Sequence, residues 1–424
     1  MTMSAYGSRI LEPRFGSETV TDFLRDGYWL EAADITGTGR PDLVGYGLSL
    51  GEIYWYQNPG WQKRLVVDKV KEPVGMDHGD ITGNGLADLA VCYQLYGPGG
   101  TIHHADPEGG KIDWLENPGN AAETSEQWMR HYVGRATGMH RLRLGHFTRN
   151  DVMQIIGFPI VAVEGVHAVL PIVLFTQPAD VRSAAEWPME VVSNRDFRMI
   201  HGVARKEGLI PGSDLDSILM ASDEGVTWLY YDAVAREWTW EHVGDGEESQ
   251  FEQTTFKGSG DVDGGRLGTN ALAYVAAVEP FHGNTVAVYA RTATENGVPG
   301  EWRRHVLDIY GDPNENGEGT GHTVMCRDFD GDGDDEFLVG LRGPDPWQGA
   351  MYYKAVDAAR GLFLKWRVSR ESVARIVAGD FSGSGVDDFA TISYSVAHYF
   401  VAPKAQITLH QNLTVRAPAA GEFL

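Results

Sequence analysis

Short apolar runs bounded by turn-forming residues recur along the whole chain. Residues 52–56 (EIYWY), 226–230 (VTWLY) and 337–341 (FLVGL) are examples, and each combines aromatic or β-branched side chains. Runs this short are typical of strands, because a helix needs roughly ten or more residues to bury one face. With 52 glycines and 12 tryptophans among 424 residues, the pattern predicts an all-β chain with many turns.

One of the turns carries a clear chemical signal. Residues 328–336 read DFDGDGDDE and run directly into the apolar stretch 337–341. No helical periodicity flanks the turn, so it predicts a β-hairpin and not an EF-hand. Its side chains offer the oxygen ligands that a hard divalent cation such as calcium requires, at Asp328, Asp330, Asp332 and Glu336. We expect this cation site to be structural and not catalytic.

Weaker copies of this turn recur along the chain. The Asp and Gly pattern returns at residues 34–42, 80–88 and 380–388, and degenerate versions lie at 145–151, 203–216 and 260–265. Each copy is followed by an aromatic strand and then by a strand that often begins with Trp. A repeat of roughly fifty to seventy residues is the length expected of a four-stranded propeller blade.

The repeats predict a single domain over residues 1–424, a seven-bladed β-propeller whose Asp-rich turns resemble FG-GAP and VCBS repeats. The last blade has a third strand at 406–410 but no fourth strand after it. A strand around residues 14–21 can complete this blade and close the ring. Two separate all-β domains are the alternative, but no linker-like composition interrupts the chain.

Charge and composition exclude several classes of partner. The formal net charge of −24 argues against nucleic acid and against anionic membrane surfaces. Cys92 and Cys326 are too few for a disulfide framework and are expected in the core. No run is apolar and long enough to span a membrane. The first residues, MTMSAYG, lack the features of a signal peptide, which predicts a cytoplasmic protein unless it is secreted after trimming or by an unconventional route.

The predicted topology assigns the polar residues to faces of the ring. The Asp turns lie on one face, and long irregular loops lie on the other, where the innermost strands begin and function normally concentrates. We number the residues of each innermost strand backward from the Asp turn that follows it. Because side chains alternate along a strand, the residues at even numbers all face the channel. The residues at even numbers are Tyr28, His78, His140, His201 and His322. A set of imidazoles on one wall indicates a metal site or general acid–base chemistry.

Further candidates lie beside this wall. Arg141 and Arg375 fall one residue out of phase near the channel mouth, where they could neutralise an anion. The long loops of the same face add more proton-transferring side chains, at His103, His104, His282, Tyr394, His398 and Tyr399. The sequence has no Gly-x-Ser-x-Gly elbow, no phosphate-binding glycine loop and no Cys-pair zinc motif.

Four longer strings carry a family resemblance. They are DGYWLE at 26–31, GMHRLRLGHFT at 138–148, FHGNTV at 281–286 and ATISYS at 390–395. These strings resemble the propeller domain of fungal aldos-2-ulose dehydratase, along nearly the whole chain. The cupin domains of that enzyme have no counterpart in these residues. The chain also resembles the fungal and bacterial L-rhamnose-α-1,4-D-glucuronate lyases that trim gum arabic side chains, and the loop with His103 and His104 favours this lyase.

Both resemblances imply a carbon–oxygen lyase that acts by β-elimination on a carbohydrate. A base removes the proton next to a carbonyl or carboxylate, while a cation or an arginine stabilises the enolate-like charge. We expect His104 or His140 to be the base, with His103 nearby, and Tyr394 to be an acid. The expected carboxylate ligand is Arg141 or Arg375. Further substrate or metal contacts are expected from His282, His322, Tyr28, His201, His78 and Tyr399.

The expected substrate is a glucuronate-containing side chain of an arabinogalactan such as gum arabic, with a divalent cation and no organic cofactor. The first alternative is an aldos-2-ulose dehydratase that acts on a keto-sugar such as 1,5-anhydrofructose. An alternative of another class is a non-catalytic, lectin-like propeller. Lectin propellers repeat similar pockets between blades, whereas the loops here differ from blade to blade, which favours one central site.

Overall fold

A computed structural model describes residues 10–119, 127–249, 255–292, 300–396 and 399–414 of the chain. Its strands form seven four-stranded antiparallel sheets. The innermost strands of consecutive sheets contact one another all the way around, and the last contacts the first. The sheets are therefore the blades of a closed ring, and the predicted seven-bladed propeller is confirmed.

The N-terminal strand is β1 (Phe15–Thr21). Blade one consists of β2 (Trp29–Ala33), β3 (Asp42–Tyr46), β4 (Ile53–Gln57) and β5 (Gln62–Val67). Blade two consists of β6 (Gly75–Gly79), β7 (Asp88–Tyr93), β8 (Lys111–Glu116) and β9 (Met129–Arg135). Blade three consists of β10 (Met139–Gly145), β11 (Gln154–Pro159), β12 (Leu170–Thr176) and β13 (Met189–Phe197). Blade four consists of β14 (Val203–Lys206), β15 (Ser217–Ser222), β16 (Gly225–Asp232) and β17 (Glu237–Gly244).

Blade five consists of β18 (Asp261–Leu267), β19 (Asn270–Glu279), β20 (Thr285–Arg291) and β21 (Trp302–Ile309). Blade six consists of β22 (Gly321–Arg327), β23 (Glu336–Arg342), β24 (Gln348–Asp357) and β25 (Leu362–Ser369), with a 3-10 turn at Ala358–Arg360 between the last two. Blade seven consists of β26 (Arg375–Gly379), β27 (Asp388–Ile392) and β28 (Ile407–Asn412), to which β1 adds the fourth strand.

The ring closes through β1, as predicted. This strand runs antiparallel to β28 from the pair Phe15 and Asn412 to the pair Thr21 and Ile407. The Phe15 ring packs edge-on against Phe389, with centroids 4.9 Å apart. Backbone hydrogen bonds and one aromatic anchor thus join the two ends of the chain.

The Asp turns hold their hairpins through backbone hydrogen bonds. In blade one, Asp34 accepts from the N–H groups of Thr38 and Gly39. The last carboxylate of that turn, Asp42, accepts from the backbone N–H of Ile35 and of Asn58 at the end of the third strand. Each acid therefore satisfies turn N–H groups that would otherwise lack partners. The degenerate copy expected at 260–265 is not a turn, because residues Asp261–Leu267 form the strand β18.

A lysine side chain supplies a positive charge to the carboxylates of the Asp328 turn. The Lys354 ammonium, from strand β24, lies 2.7 Å from Asp330, 3.0 Å from Asp332 and 2.7 Å from Glu336. Oxygens of Asp328, Asp330 and Asp332 also lie within 4.8 Å of one another, which is close enough to hold a metal ion. The lysine supplies a counter-charge that the sequence pattern did not reveal, and calcium at this turn stays a prediction.

Cys92 and Cys326 are buried and unpaired, as expected of core residues. Among the described residues, no helix has the length and apolar character needed to cross a membrane.

Candidate functional site

Histidines from four blades meet on the axis of the ring, at the end where the innermost strands begin. We call His140, His201, His282 and His322 the histidine cluster. The ring centroid of His201 lies 5.0 Å from that of His140, 4.9 Å from that of His282 and 5.6 Å from that of His322. Tyr28 borders the cluster, with its hydroxyl 3.5 Å from Nε2 of His140. The predicted channel wall is thus largely realised.

Local backbone irregularities aim these side chains. His140 and His322 each lie at a register shift of the innermost strand, between Met139 and Arg141 in β10 and between Gly321 and Thr323 in β22. A bulge of this kind inserts one unpaired residue and redirects its side chain. His282 has a φ of 49°, a left-handed conformation that costs a non-glycine residue of order 1 kcal/mol or more and is common at functional sites.

Hydrogen bonds at Nδ1 fix the orientation of two of the rings, and a carboxylate at ion-pair distance lies beside Nδ1 of the third. Nδ1 of His201 lies 2.6 Å from the carbonyl oxygen of Gly260, and Nδ1 of His322 lies 2.5 Å from that of Ala374. Nδ1 of His282 lies 2.6 Å from a carboxylate oxygen of Glu318. An acceptor beside each Nδ1 favours the hydrogen on that nitrogen, and each Nε2 then presents a lone pair.

These lone pairs converge. The Nε2 atoms of His201 and His282 lie only 3.3 Å apart. Donor atoms of His201, His282 and His322 all lie within 4.8 Å of one another, and Nε2 of His322 is buried without a hydrogen-bond partner among the described residues. Two lone pairs at this distance repel each other unless a cation or a proton lies between them. The arrangement fits a metal ion that prefers imidazole, such as zinc, better than it fits calcium.

Two residues that support the cluster had no signal in the sequence. Glu318 lies at ion-pair distance from His282 and also pairs with Arg342, whose Nη2 lies 2.7 Å from the carboxylate. The guanidinium of Arg342 is fully buried and lies 4.7 Å from the ring centroid of Tyr394. Glu318 comes from the long connection between β21 and β22, where no motif marks it.

Arg141 forms the other polar border of the cluster. Its Nη2 lies 2.9 Å from the Tyr28 hydroxyl and 3.4 Å from Nε2 of His201, and its guanidinium carbon lies 4.9 Å from the ring centroid of Trp29. A buried guanidinium at this place could stabilise negative charge that develops on a substrate oxygen. The role expected of Arg141 from the sequence, binding of a substrate carboxylate, stays a prediction.

Burial and neighbouring cations determine the protonation of the cluster. Burial, and then the charges of Arg141 and Arg342, hold the pKa values of His140, His201 and His322 well below their usual range. Burial also lowers the pKa of His282, against the opposing effect of Glu318. Burial raises the pKa of Tyr394, so its hydroxyl keeps its proton.

Tyr394 and Tyr399 lie where they were expected. The Tyr394 ring is 5.0 Å from that of His322, and the Tyr399 ring is 5.8 Å from that of His282. His398, from the same loop, lies outside the described residues.

Three of the expected residues are not brought into the cluster. His103 and His104 are exposed, and Nδ1 of His104 lies 3.3 Å from the carbonyl oxygen of Val163. His78 lies further along the channel wall, where its Nδ1 is 3.0 Å from Glu31. An even number of residues before the turn places a side chain on the channel wall but does not give its position along the channel axis. Each step of two residues moves the side chain by almost 7 Å along the strand.

Arg375 also takes a different position from the one expected. It lines a cavity on the other side of the cluster together with Asp261, and its guanidinium carbon lies 4.3 Å from the ring centroid of Trp29.

Seven blades around an asymmetric polar centre define the class of the protein, a β-propeller with a polar site on its axis. Residues 109–292 match the family model of the aldos-2-ulose dehydratase β-propeller domain. The chain is 35% identical over 439 residues to the aldos-2-ulose dehydratase of Phanerodontia chrysosporium, and the alignment covers 97% of this chain and 47% of that protein. The resemblance to this dehydratase propeller is confirmed, and the chain spans about half the length of the relative.

Solved structures agree on the fold. A structure described as BBS1N in complex with ARL6DN aligns with a TM-score of 0.51 at 13% identity, over 94% of this chain and 96% of its own. A lectin of Agrocybe aegerita that recognises non-reducing terminal N-acetylglucosamine aligns with a TM-score of 0.46 at 16% identity, over 93% of this chain and 87% of its own. The first likeness shows the fold alone, and the second is too distant to support an inference.

Proposed function

We propose that the chain is a sugar dehydratase, a carbon–oxygen lyase that eliminates a β-hydroxyl group from a keto-sugar at the histidine cluster. The 35% identity to an aldos-2-ulose dehydratase supports this reading over the rhamnose–glucuronate lyase expected from the sequence. The observation that carries it is the convergence of imidazoles from four blades beside Tyr28 and Arg141. Such a set supplies a base, a proton donor and a stabilising cation within one small volume.

The elimination needs a base at the carbon next to the carbonyl. We assign this role to His140, the member of the cluster that lies outside the candidate metal-ligand group and beside the Tyr28 hydroxyl. Its imidazole takes the C–H proton, the electron pair forms the carbon–carbon double bond, and the β-hydroxyl leaves. The imidazolium can return the proton to that hydroxyl, so that water departs and the ring is regenerated. Arg141 and the Tyr28 hydroxyl stabilise the charge on the enolate oxygen.

A metal ion fits the remaining members of the cluster. His201, His282 and His322 would hold it through Nε2, and Glu318 would orient His282 from behind, as carboxylates commonly do at metal-bound histidines. When bound, such an ion supplies Lewis-acid polarisation of a carbonyl oxygen. The structural calcium expected at the Asp328 turn is a separate matter and lies outside this site.

The test compares two substrates and two variants. Purified protein is incubated with 1,5-anhydrofructose or with gum arabic oligosaccharide, and the unsaturated product is followed by ultraviolet absorbance and mass. We expect product from the keto-sugar, a loss of at least 100-fold in kcat/KM for His140→Gln, and nearly full activity for the exposed control His104→Gln. Product from the oligosaccharide alone would instead identify the rhamnose–glucuronate lyase. Sugar binding without product would indicate the lectin-like alternative, and equal activity of both variants would refute the assigned base.

A further inference from the structure

The central channel has a second compartment on the side of the Asp turns. A cavity of about 600 Å³ extends there along the innermost strands of blades two to seven, and no member of the histidine cluster lines it. Its inner end is formed by Asp261 and Arg375, the first residues of β18 and β26. A cavity of this volume is within the range of small-ligand sites, about 300 to 1,000 Å³.

A layer of side chains separates this compartment from the histidine cluster. The Trp29 ring is contacted by two guanidinium groups, with carbon-to-centroid distances of 4.9 Å for Arg141 and 4.3 Å for Arg375. Arg141 also contacts Tyr28 and His201, whereas Arg375 lines the cavity. The two arginines thus lie on opposite sides of the layer formed by Trp29, Arg141 toward the histidine cluster and Arg375 toward the cavity.

Each of the acids that line the cavity already accepts from a donor of the protein, at Asp77, Glu207, Asp261, Asp263 and Asp335. Asp261 accepts from the backbone N–H of Val324. Asp263 accepts from the backbone N–H of Cys326 and from the Lys206 ammonium at 2.8 Å. These carboxylates therefore already accept hydrogen bonds from other groups of the protein. An anion that binds to an arginine of the cavity would not have to displace them.

Two of the arginines that line the cavity have no carboxylate at hydrogen-bond distance among the described residues. Arg375 lies 3.8 Å from Asp261, beyond hydrogen-bond distance, and its Nε and Nη2 are buried without a partner among the described residues. Arg143 donates to two carbonyl oxygens, those of Leu142 at 2.8 Å and Val203 at 2.7 Å. Burial and the neighbouring Arg141 lower the pKa of Arg375 to about 10, as expected where positive charges outnumber their partners.

We propose that this compartment binds an oxyanion, the carboxylate or phosphate group of a small metabolite, through Arg375 with help from Arg143. A guanidinium presents its donors in a planar fork that matches both groups, and Arg375 lines the cavity without a carboxylate at hydrogen-bond distance among the described residues. The ligand enters from the face of the Asp turns, opposite the histidine cluster. The proposal does not depend on the proposed dehydratase activity, because it concerns binding in a separate compartment.

The experiment measures binding of two probes, inorganic phosphate and D-glucuronate, by isothermal titration calorimetry in a buffer free of other oxyanions. Four proteins are compared: the full chain and its Arg375→Met, Arg143→Gln and Arg182→Gln variants. Arg182 is an exposed residue that pairs with Glu116, so its substitution changes the net charge equally without touching the cavity. Circular dichroism confirms that each variant is folded.

We expect one or both probes to bind the full chain and the Arg182→Gln protein alike. Arg375→Met should weaken binding at least tenfold, and Arg143→Gln several-fold. Binding of phosphate alone or of glucuronate alone identifies the source of the oxyanion. Absence of binding of both probes at 10 mM overturns the proposal (about 10 mM corresponds to −2.7 kcal/mol). Equal loss in the Arg182→Gln protein also overturns it. If Arg375→Met does not fold, the half-buried Arg143→Gln variant decides.

Discussion

At the scale of single residues, the cluster depends on groups behind the imidazoles. Glu318 is buried between His282 and Arg342, and these two partners keep its pKa below the usual range despite burial. The carboxylate therefore remains charged, and from 2.6 Å it favours a hydrogen on Nδ1 of His282 over one on Nε2. Removing the charge of Glu318 should therefore weaken metal binding more than it destabilises the fold.

The first prediction follows for Glu318→Gln. Replacing an outer carboxylate of this kind typically lowers metal affinity by about 10- to 100-fold, and we expect a loss in that range for zinc. A chromophoric chelator in competition with the protein gives the affinity. The matched control is Glu116→Gln, which removes another Glu–His pair, with His131, away from the channel. Equal affinity of the Glu318→Gln and unmodified proteins would contradict the assigned ligand set.

Lys354 gives a second prediction at this scale. Its ammonium serves three carboxylates of the Asp328 turn, and burial raises the pKa of Glu336 to about 7 even with that cation present. Removing one partner of a buried ionic group typically costs about 3 to 5 kcal/mol. We expect Lys354→Met to be destabilised by that order in urea unfolding without calcium, and partly rescued by millimolar calcium.

The control for this prediction is Lys365→Met, which removes a more exposed lysine paired with Asp308. The unmodified protein should unfold at the same urea concentration with calcium and with a calcium chelator. A strong calcium dependence of the unmodified protein would show instead that a metal ion occupies the turn, as the sequence pattern predicted.

At the scale of elements, the repeat made most of the fold predictable. Aromatic third strands, Trp-initiated fourth strands and Asp turns recur at blade spacing, and hydrophobic alternation is a local property of sequence. Residues 260–265 were misassigned as a turn because Asp and Gly also occur in β18. There Asp261 and Asp263 accept from backbone N–H groups of the neighbouring blade, at Val324 and Cys326. Contacts between blades are not encoded by any local pattern.

The site was less predictable than the fold, for a related reason. Strand alternation identified Tyr28, His140, His201 and His322, but the bulges at His140 and His322 decide how far each ring reaches into the channel. Whether His78 or His104 joins them depends on height along the axis and on loop paths. Glu318 and Arg342 form a buried ion pair although they are distant in sequence. A pair of this kind leaves no local pattern in the sequence.

The closing blade yields a prediction for pH. His410 of β28 lies between the hydroxyls of Ser17 on β1 and Thr391 on β27, at 3.2 Å from each, and stacks on Phe389. Burial lowers its pKa to about 4. Between the ordinary value near 6.5 and about 4, the unfolded chain binds a proton that the folded chain does not, so stability falls as the pH falls.

The loss attributable to His410 is on the order of 2 to 3 kcal/mol by pH 4. We expect His410→Gln to show a shallower decline of unfolding free energy between pH 6.5 and 4 in urea titrations. The exposed His103→Gln variant serves as the control and should follow the unmodified protein. Identical slopes for all three proteins would show that His410 is protonated in the folded state.

At the scale of the whole molecule, a symmetric ring supports an asymmetric interior. Every blade contributes an innermost strand to the channel, yet the imidazoles gather at one end and Arg375 lines the cavity at the other. The Trp29 layer between them lets one scaffold present two unlike compartments. This arrangement depends on the ring being closed, because each channel contact joins residues from different blades.

Closure itself gives the last prediction. A chain that lacks residues 1–21 loses β1 and leaves the outer edge of β28 unpaired, and an exposed edge of this kind accepts an added strand. We expect this chain to melt several degrees or more below the full chain and to associate at high concentration. A synthetic peptide of residues 12–23 in excess should bind it and restore the melting temperature, because it returns the backbone hydrogen bonds and the Phe15 anchor.

The control peptide carries proline in place of both Glu18 and Thr19, which pair with Leu409 and Thr408. Alternate residues of a strand direct their N–H groups to the neighbour, so replacing two adjacent residues removes a ladder hydrogen bond whichever of them faces β28. This peptide should not restore the melting temperature. If the truncated chain melts like the full chain, the ring does not need β1. If both peptides rescue it equally, the strand acts through side-chain packing at Phe15 and not through the sheet.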